Sequence, residues 1–131
     1  MAVNDINKGL NYITYGLYIV TTCEEEKKNG LIVNTVFQVT AEPAQMAISV
    51  NKNSLTHDMI LKSRVFAAMP LEQNTPLPFI GIFGFRSGRT FDKLAKVPYK
   101  MGFLGCPIVG EHTLSYMEVE VSQTVDMGTH T

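Results

Sequence analysis

The apolar runs of this chain are short, and turn signals separate them. Residues 13–22 are rich in β-branched and aromatic side chains and lead into a charged run that closes with Asn29-Gly30. This pattern predicts a hairpin from residues 13–22 into residues 31–40. Because its composition is that of a solvated loop, we expect the segment 24–30 to be the exposed hairpin tip.

Three further runs predict strands. Residues 45–50 resume after Pro43 as a short apolar run, which we expect to be central in the sheet, and residues 64–71 predict another strand. Residues 115–126 form the clearest strand, because apolar and polar side chains alternate along it. Its apolar face consists of Met117, Val119, Val121 and Val125.

Two short helices complete the predicted elements. Ser54 can cap a helix that extends to about residue 63, with Leu55, Met59 and Ile60 spaced to face the core. Thr75-Pro76 offers an N-cap followed by proline, so residues 77–85 predict a second helix despite their glycines and prolines.

These elements favour a mainly β fold, a closed or partly closed antiparallel barrel with one or two short helices, over an α/β sandwich. The length of 131 residues, with 45% hydrophobic content and no linker or repeat, predicts a single domain over residues 1–131. A net charge of −1 without a basic stripe argues against nucleic acid as a partner.

The longest apolar stretch, residues 77–85, is too short to cross a bilayer, and residues 1–8 are polar, so we expect a cytoplasmic protein. Cys23 and Cys106 are isolated in sequence and are interpreted as buried free thiols rather than as a disulfide or a metal site. His112 has no partner at metal-ligand spacing, and no metal site is expected.

Two polar clusters are suited to phosphate. Residues 51–54, Asn-Lys-Asn-Ser, place a cation and a hydroxyl at a predicted helix start, where unpaired N–H groups and the helix dipole attract anions. Arg86-Ser87-Gly88-Arg89 joins two guanidiniums to a flexible backbone. From the residues alone, Lys52 could equally be a surface lysine, and the arginines could cover the mouth of a barrel.

Several motifs, in this order, resemble those of the flavin reductase family, whose members bind FMN, and some FAD, in a split β-barrel. The likeness covers most of the chain. The GFRSGR segment is most similar to the branch that contains the rubredoxin-associated flavin reductases and flavoredoxin. The matching segments are residues 13–22, 34–59, 84–90 with Lys93, 105–108 and 128–131.

The resemblance implies FMN or FAD as cofactor, with FMN as the first choice, and NAD(P)H as co-substrate. Strand residues 34–40 could otherwise be an ordinary half-buried strand, but the resemblance implies that their N–H groups face the isoalloxazine ring. His130 is implied to lie over the flavin as the catalytic residue, by packing and hydrogen bonding, whereas His57 is expected at the surface. The implied cofactor-binding residues are Asn34, Thr35, Val36, Phe37, Gln38, Asn51, Lys52, Ser54, Thr56, Arg86, Ser87 and Lys93.

In the family, the G-x-H-T turn is followed by another strand and a C-terminal segment, so we expect a C-terminally incomplete member. The leading hypothesis is an FMN-binding oxidoreductase that moves a hydride from NAD(P)H to flavin and passes electrons to free flavin, rubredoxin or another small carrier. The alternatives are a flavoredoxin-like carrier without reductase activity and an incomplete, non-catalytic barrel. We also expect a homodimer, because the strand of residues 115–126 lacks its sequential hairpin partner.

Overall fold

A computed structural model describes residues 3–131, with side chains from residue 5 onward. Its elements, in chain order, are α1 (Val3–Leu10), β1 (Tyr18–Glu24), β2 (Lys27–Val33), β3 (Val36–Ala41), β4 (Ala44–Ile48), α2 (Leu55–Ser63), β5 (Val65–Pro70), α3 (Leu77–Gly84), a 3-10 helix (Lys93–Lys96), β6 (Lys100–Met101), β7 (Pro107–Ile108) and β8 (Met117–Glu120). The mainly β prediction is confirmed.

A four-stranded antiparallel sheet in the order β2-β1-β5-β8 forms the centre of the fold. Both faces of β1 are covered: Ile19 packs with the core on the side of α3 and β7, and Val20 packs with the core that includes Ile60 of α2. Strands buried on both faces read as continuous apolar runs, which explains why β1 and β5 show little alternation.

The expected barrel closure is wrong for the described residues. β3 and β4 form a separate two-stranded sheet, β6 and β7 form another, and β2 and β8 are the outer strands of the main sheet. β4 is therefore not central. It pairs with β3 in the small sheet instead of joining the main sheet, and its residues are exposed or half-buried.

The hairpin tip is also different from the prediction. The turn lies at Glu25 and Glu26, and Asn29 and Gly30 are inside β2, opposite Thr22 and Thr21. Packing explains why: a Cβ on Gly30 would lie 3.0 Å from the Thr21 Cγ2 atom. The Asn-Gly pair is thus a packing feature rather than a turn.

Both predicted helices are confirmed, but the predicted Thr75 cap is wrong: the N-cap of α3 is Pro76, which makes no side-chain hydrogen bond to the helix. Ser54 is the N-cap of α2, and Arg64 ends the helix in the left-handed region at φ 62°. α3 tolerates Pro78 because this proline falls in the first turn of the helix, where the missing N–H would have no partner within the helix. Phe79 and Phe83 of α3, one turn apart, are both buried.

The strand predicted over residues 115–126 is shorter, because its partner ends. β8 pairs with β5, which begins at Val65 immediately after the end of α2, so in the described part of the chain residues 122–126 have no strand beside them. Val125 and Met127 are consequently 59% and 77% exposed.

Cys106 is buried as expected, whereas Cys23 is partly exposed. Burial, followed by the charges of Glu118 and Cys23, raises the pKa of the Cys106 thiol to about 11. Among the described residues, no helix combines the length and apolar character that a membrane span requires.

Candidate flavin site

The first turn of α2 is where distant segments of the chain meet. Residues 50–52 run antiparallel to the C-terminal turn: the Val50 N–H donates to the Thr131 carbonyl at 2.9 Å, and the Lys52 N–H donates to the Thr129 carbonyl at 3.0 Å. A β-bridge pairs Asn51 with His130. The structure therefore places His130 beside the helix start.

The turn before α2 uses its own side chains. The Asn51 Oδ1 atom accepts from the Asn53 N–H at 2.8 Å, and the Ser54 hydroxyl donates to the Asn51 carbonyl at 3.0 Å. The Ser54 Oγ atom also accepts from the His57 N–H at 3.1 Å, which satisfies one of the unpaired donors of the helix start. The N–H groups that precede it in the helix have no acceptor within the helix, so they can donate to a bound anion.

Lys52 extends toward the C-terminal turn rather than into solvent. Its ammonium forms an ion pair with the carboxylate of Asp126, whose Oδ1 atom also accepts from the Gly128 N–H at 3.0 Å. The Lys52 hydrogen bond and then the Gly128 N–H lower the pKa of Asp126. A phosphate at this position would share the Lys52 ammonium with Asp126.

The start of β3 lies next to the same region. The Ser49 N–H donates to the Thr35 carbonyl at 3.2 Å, and the Thr35 hydroxyl donates to the Asn34 Oδ1 atom at 3.0 Å. Phe37 is 54% exposed. In the described part of the chain, β3 pairs with a strand on one side, so its other edge presents N–H groups to a ligand.

The loop after α3 contacts α2 through Arg89. The Arg89 Nη2 atom donates to the Asp58 Oδ2 atom at 2.7 Å, and this hydrogen bond, followed by that of His57, lowers the pKa of Asp58. Ser87 stabilises the loop by accepting the Arg89 N–H at 3.1 Å, and the Arg86 guanidinium stacks on the Phe91 ring, 4.4 Å from its centroid.

Lys93 and Thr56 lie behind the site. The Lys93 ammonium is buried and donates to the carbonyls of Gly30 and Phe83, each at 2.8 Å, and burial lowers its pKa to about 8. The Thr56 hydroxyl is also buried and accepts from the Asn29 amide at 3.0 Å. Their direct contact with a flavin stays a prediction that this geometry does not favour, because both polar groups have protein partners.

Residues 10–131 match the protein family described as the flavin reductase like domain. The chain belongs to this family. It is 46% identical over 123 residues to a high molecular weight rubredoxin of Moorella thermoacetica, an alignment that covers 94% of this chain and 54% of that protein. It is 45% identical over 119 residues to a ferric-chelate reductase (NAD(P)H) of Archaeoglobus fulgidus, over 91% of this chain and 70% of that one.

Among solved structures, an FMN-binding protein from Thermus thermophilus with bound 1-cyclohex-2-enone superposes with a TM-score of 0.81 and is 26% identical, over 91% of this chain and 66% of that chain. The resemblance to flavin reductases is confirmed. The chain spans about half the length, 54%, of the first of these curated relatives.

Two cavities border helix α2 of this flavin reductase-like domain. One, of about 450 Å³, is mostly apolar and lies between the β3–β4 hairpin, α2 and residues 119–127, with Phe37, His57 and Thr131 in its lining. The other, of about 790 Å³, is lined by the β1–β2 hairpin end, Leu55 and the loop around Arg89. Among the predicted ligands in the described part of the chain, Phe37 lines the first cavity, and the others line neither of these two.

Sequence reasoning missed His57 and Asn29. His57 is 8% exposed and Asn29 is 4% exposed, so both are core polar residues. For His57 a signal was present: Ser54 precedes it by three residues, the spacing at which a cap accepts the N–H of that residue. For Asn29 the neighbouring glycine indicated a turn, and its true partner, Thr56, is 27 residues away.

Proposed function

We propose that this chain binds FMN, or FAD in the same position, at the start of α2 and takes part in hydride transfer from NAD(P)H to the flavin. Free flavin, rubredoxin or another small redox carrier would receive the electrons. The observation that supports this proposal is the meeting of residues 51–54, residues 128–131 and Arg89 at the first turn of α2 in a member of the flavin reductase family. Thr35 is bonded to Ser49, shortly before that turn.

The residues fit a flavin by their chemistry. The first N–H groups of α2 and the Lys52 ammonium would hold a phosphate, and the free edge of β3 would donate to the ring. His130, beside Asn51, would cover the ring. When bound, the flavin supplies the two-electron chemistry, and the protein supplies position and electrostatics.

Rubredoxin is a proposed partner because a relative that is 46% identical is named a high molecular weight rubredoxin. A homodimer is proposed because, among the described residues, β8 pairs with a strand on one side only, and because the exposed Val125 and Met127 follow it. The cytoplasmic location stays a prediction, supported by two free cysteines.

Absorbance of the purified chain, before and after anaerobic NADH, tests the proposal. We expect a flavin spectrum after reconstitution with FMN and rapid bleaching by NADH or NADPH. A bound flavin that neither nucleotide bleaches would indicate an electron carrier instead. A chain that retains no FMN or FAD after gel filtration would contradict the proposed function.

A further inference from the structure

The His57 imidazole is nearly buried, and both of its nitrogens are engaged. The Nδ1 atom lies 3.0 Å from the Asp58 Oδ1 atom, and the Nε2 atom lies 2.8 Å from the Thr131 hydroxyl. Asp58 adjoins His57 on α2, whereas Thr131 belongs to the C-terminal turn. His57 is therefore a direct side-chain link between the helix and that turn.

The charge of Asp58 sets the tautomer of His57. A carboxylate only accepts hydrogen bonds, so the Nδ1 atom of His57 carries the hydrogen in this contact. In the neutral ring, the Nε2 atom is then an acceptor, and the Thr131 hydroxyl donates to it. The Arg89 hydrogen bond further favours the ionised form of Asp58, because it lowers the pKa of that carboxyl group.

The same chain of contacts orders three segments of the flavin site. Arg89 extends it to the loop after α3 at 2.7 Å. At the other end, the Thr131 N–H donates to the Val50 carbonyl at 3.0 Å, which aligns the C-terminal turn with the segment before α2. His130 is the neighbour of Thr131, so its place depends on this alignment.

From this geometry we infer that His57 is a positioning residue of the flavin site: its contact with Thr131, beside the Arg89–Asp58 ion pair, holds the His130 turn against α2. The inference deepens the proposed function and rests on it for its consequence in flavin binding. The link between helix and turn, however, can be measured without any flavin.

Two replacements of His57 separate the two halves of the link. A glutamine amide reaches about as far as the Nε2 atom, so His57→Gln keeps a partner for Thr131 and loses the contact with Asp58. An asparagine amide reaches about as far as the Nδ1 atom, so His57→Asn keeps Asp58 and loses Thr131. Thr131→Val removes the hydroxyl at nearly constant volume and is the matched variant on the turn.

Amide hydrogen exchange in the flavin-free chain is the first measurement. We expect the Lys52 and Thr131 amides to exchange about 5-fold faster in His57→Asn and in Thr131→Val, the effect of one lost hydrogen bond. The double variant should be no faster than either single variant, and His57→Gln should resemble the wild type. The Val20 amide in β1 is the internal control for a general loss of stability.

FMN titration and the ring spectrum of His57 complete the test. We expect the Kd for FMN to rise about 5-fold in His57→Asn and Thr131→Val, but not in His57→Gln or in His112→Gln, a half-buried histidine bound to Glu72 elsewhere. Nitrogen-15 spectra should show the Nδ1–H tautomer of His57 in the wild type.

The outcomes separate the two proposals. If the wild-type chain binds no flavin, the proposed function fails, while the exchange rates still decide the role of His57. Unchanged exchange in His57→Asn and Thr131→Val, equal effects of His57→Asn and His57→Gln, or additive effects in the double variant would each overturn the inference.

Discussion

Lys52 is the residue on which the phosphate proposal depends most directly. We expect Lys52→Ala to weaken FMN binding by about 1–3 kcal/mol, because a charge-assisted hydrogen bond is lost. Fluorescence quenching of FMN on titration gives the affinity. Lys62→Ala is the matched control, since Lys62 is an exposed lysine at the other end of the same helix.

Asp126 competes for the same ammonium, which gives a second arm to this experiment. Asp126→Asn removes that competition, so FMN affinity should stay equal or increase while Lys52→Ala decreases it. Unchanged affinity in Lys52→Ala would remove Lys52 from the phosphate site.

Lys93 predicts a pH dependence of stability. Its pKa is about 8 in the folded chain and near 10.5 ordinarily, so between these values the unfolded chain binds more protons. The free energy of unfolding should therefore rise with pH across this window, by about 1 kcal/mol per pH unit from this group. Urea unfolding at pH 8, 9 and 10 measures the slope.

Lys93→Met is the reference for this slope, because it keeps the side-chain length and removes the charge. The cysteines and tyrosines are present in both chains, so their contributions cancel in the difference. Parallel pH curves for the wild type and the variant would show that burial does not perturb the Lys93 ammonium.

At the scale of elements, the β1–β2 turn carries an unfavourable residue. Glu25 has φ 55°, a left-handed conformation that suits glycine, whereas Glu26 has an ordinary φ. Glu25→Gly should raise the free energy of unfolding by about 1 kcal/mol, and Glu26→Gly should not raise it. Urea midpoints test this pair, and equal effects of the two changes would contradict the turn position.

The helices show how far nearby residues determine the boundaries of an element. The Ser54 cap and the spacing of Met59 and Ile60 predicted both ends of α2 to within one residue. This works because a cap and an apolar stripe depend on residues that are close together in the sequence. The end of β8 was predicted too late. Its alternation continues to residue 126, but a strand also needs a neighbour, and β5 begins only at Val65.

At the scale of the whole molecule, the open edge of β8 bears on assembly. We expect a homodimer, so size-exclusion chromatography with light scattering should give twice the chain mass of 14.5 kDa. Val125→Asp should shift the mass to that of a monomer, because it places a charge in the expected interface.

Phe103→Asp is the matched control for the dimer, since Phe103 is 94% exposed and lies in the loop between β6 and β7. It should leave the mass unchanged. A monodisperse monomer at micromolar concentration with flavin bound would show that the site forms without a second subunit.

The sequence by itself determined the mainly β class, both short helices and the family resemblance, because each of these depends on residues that are close together or on the order of motifs. Only the tertiary structure decided that Asn29 is a core residue, that β3 and β4 leave the main sheet, and that His57 meets Thr131. These outcomes depend on partners up to 74 positions apart. The sequence pattern shows how apolar each position is, but it does not show which distant polar group will form a hydrogen bond with a buried polar side chain.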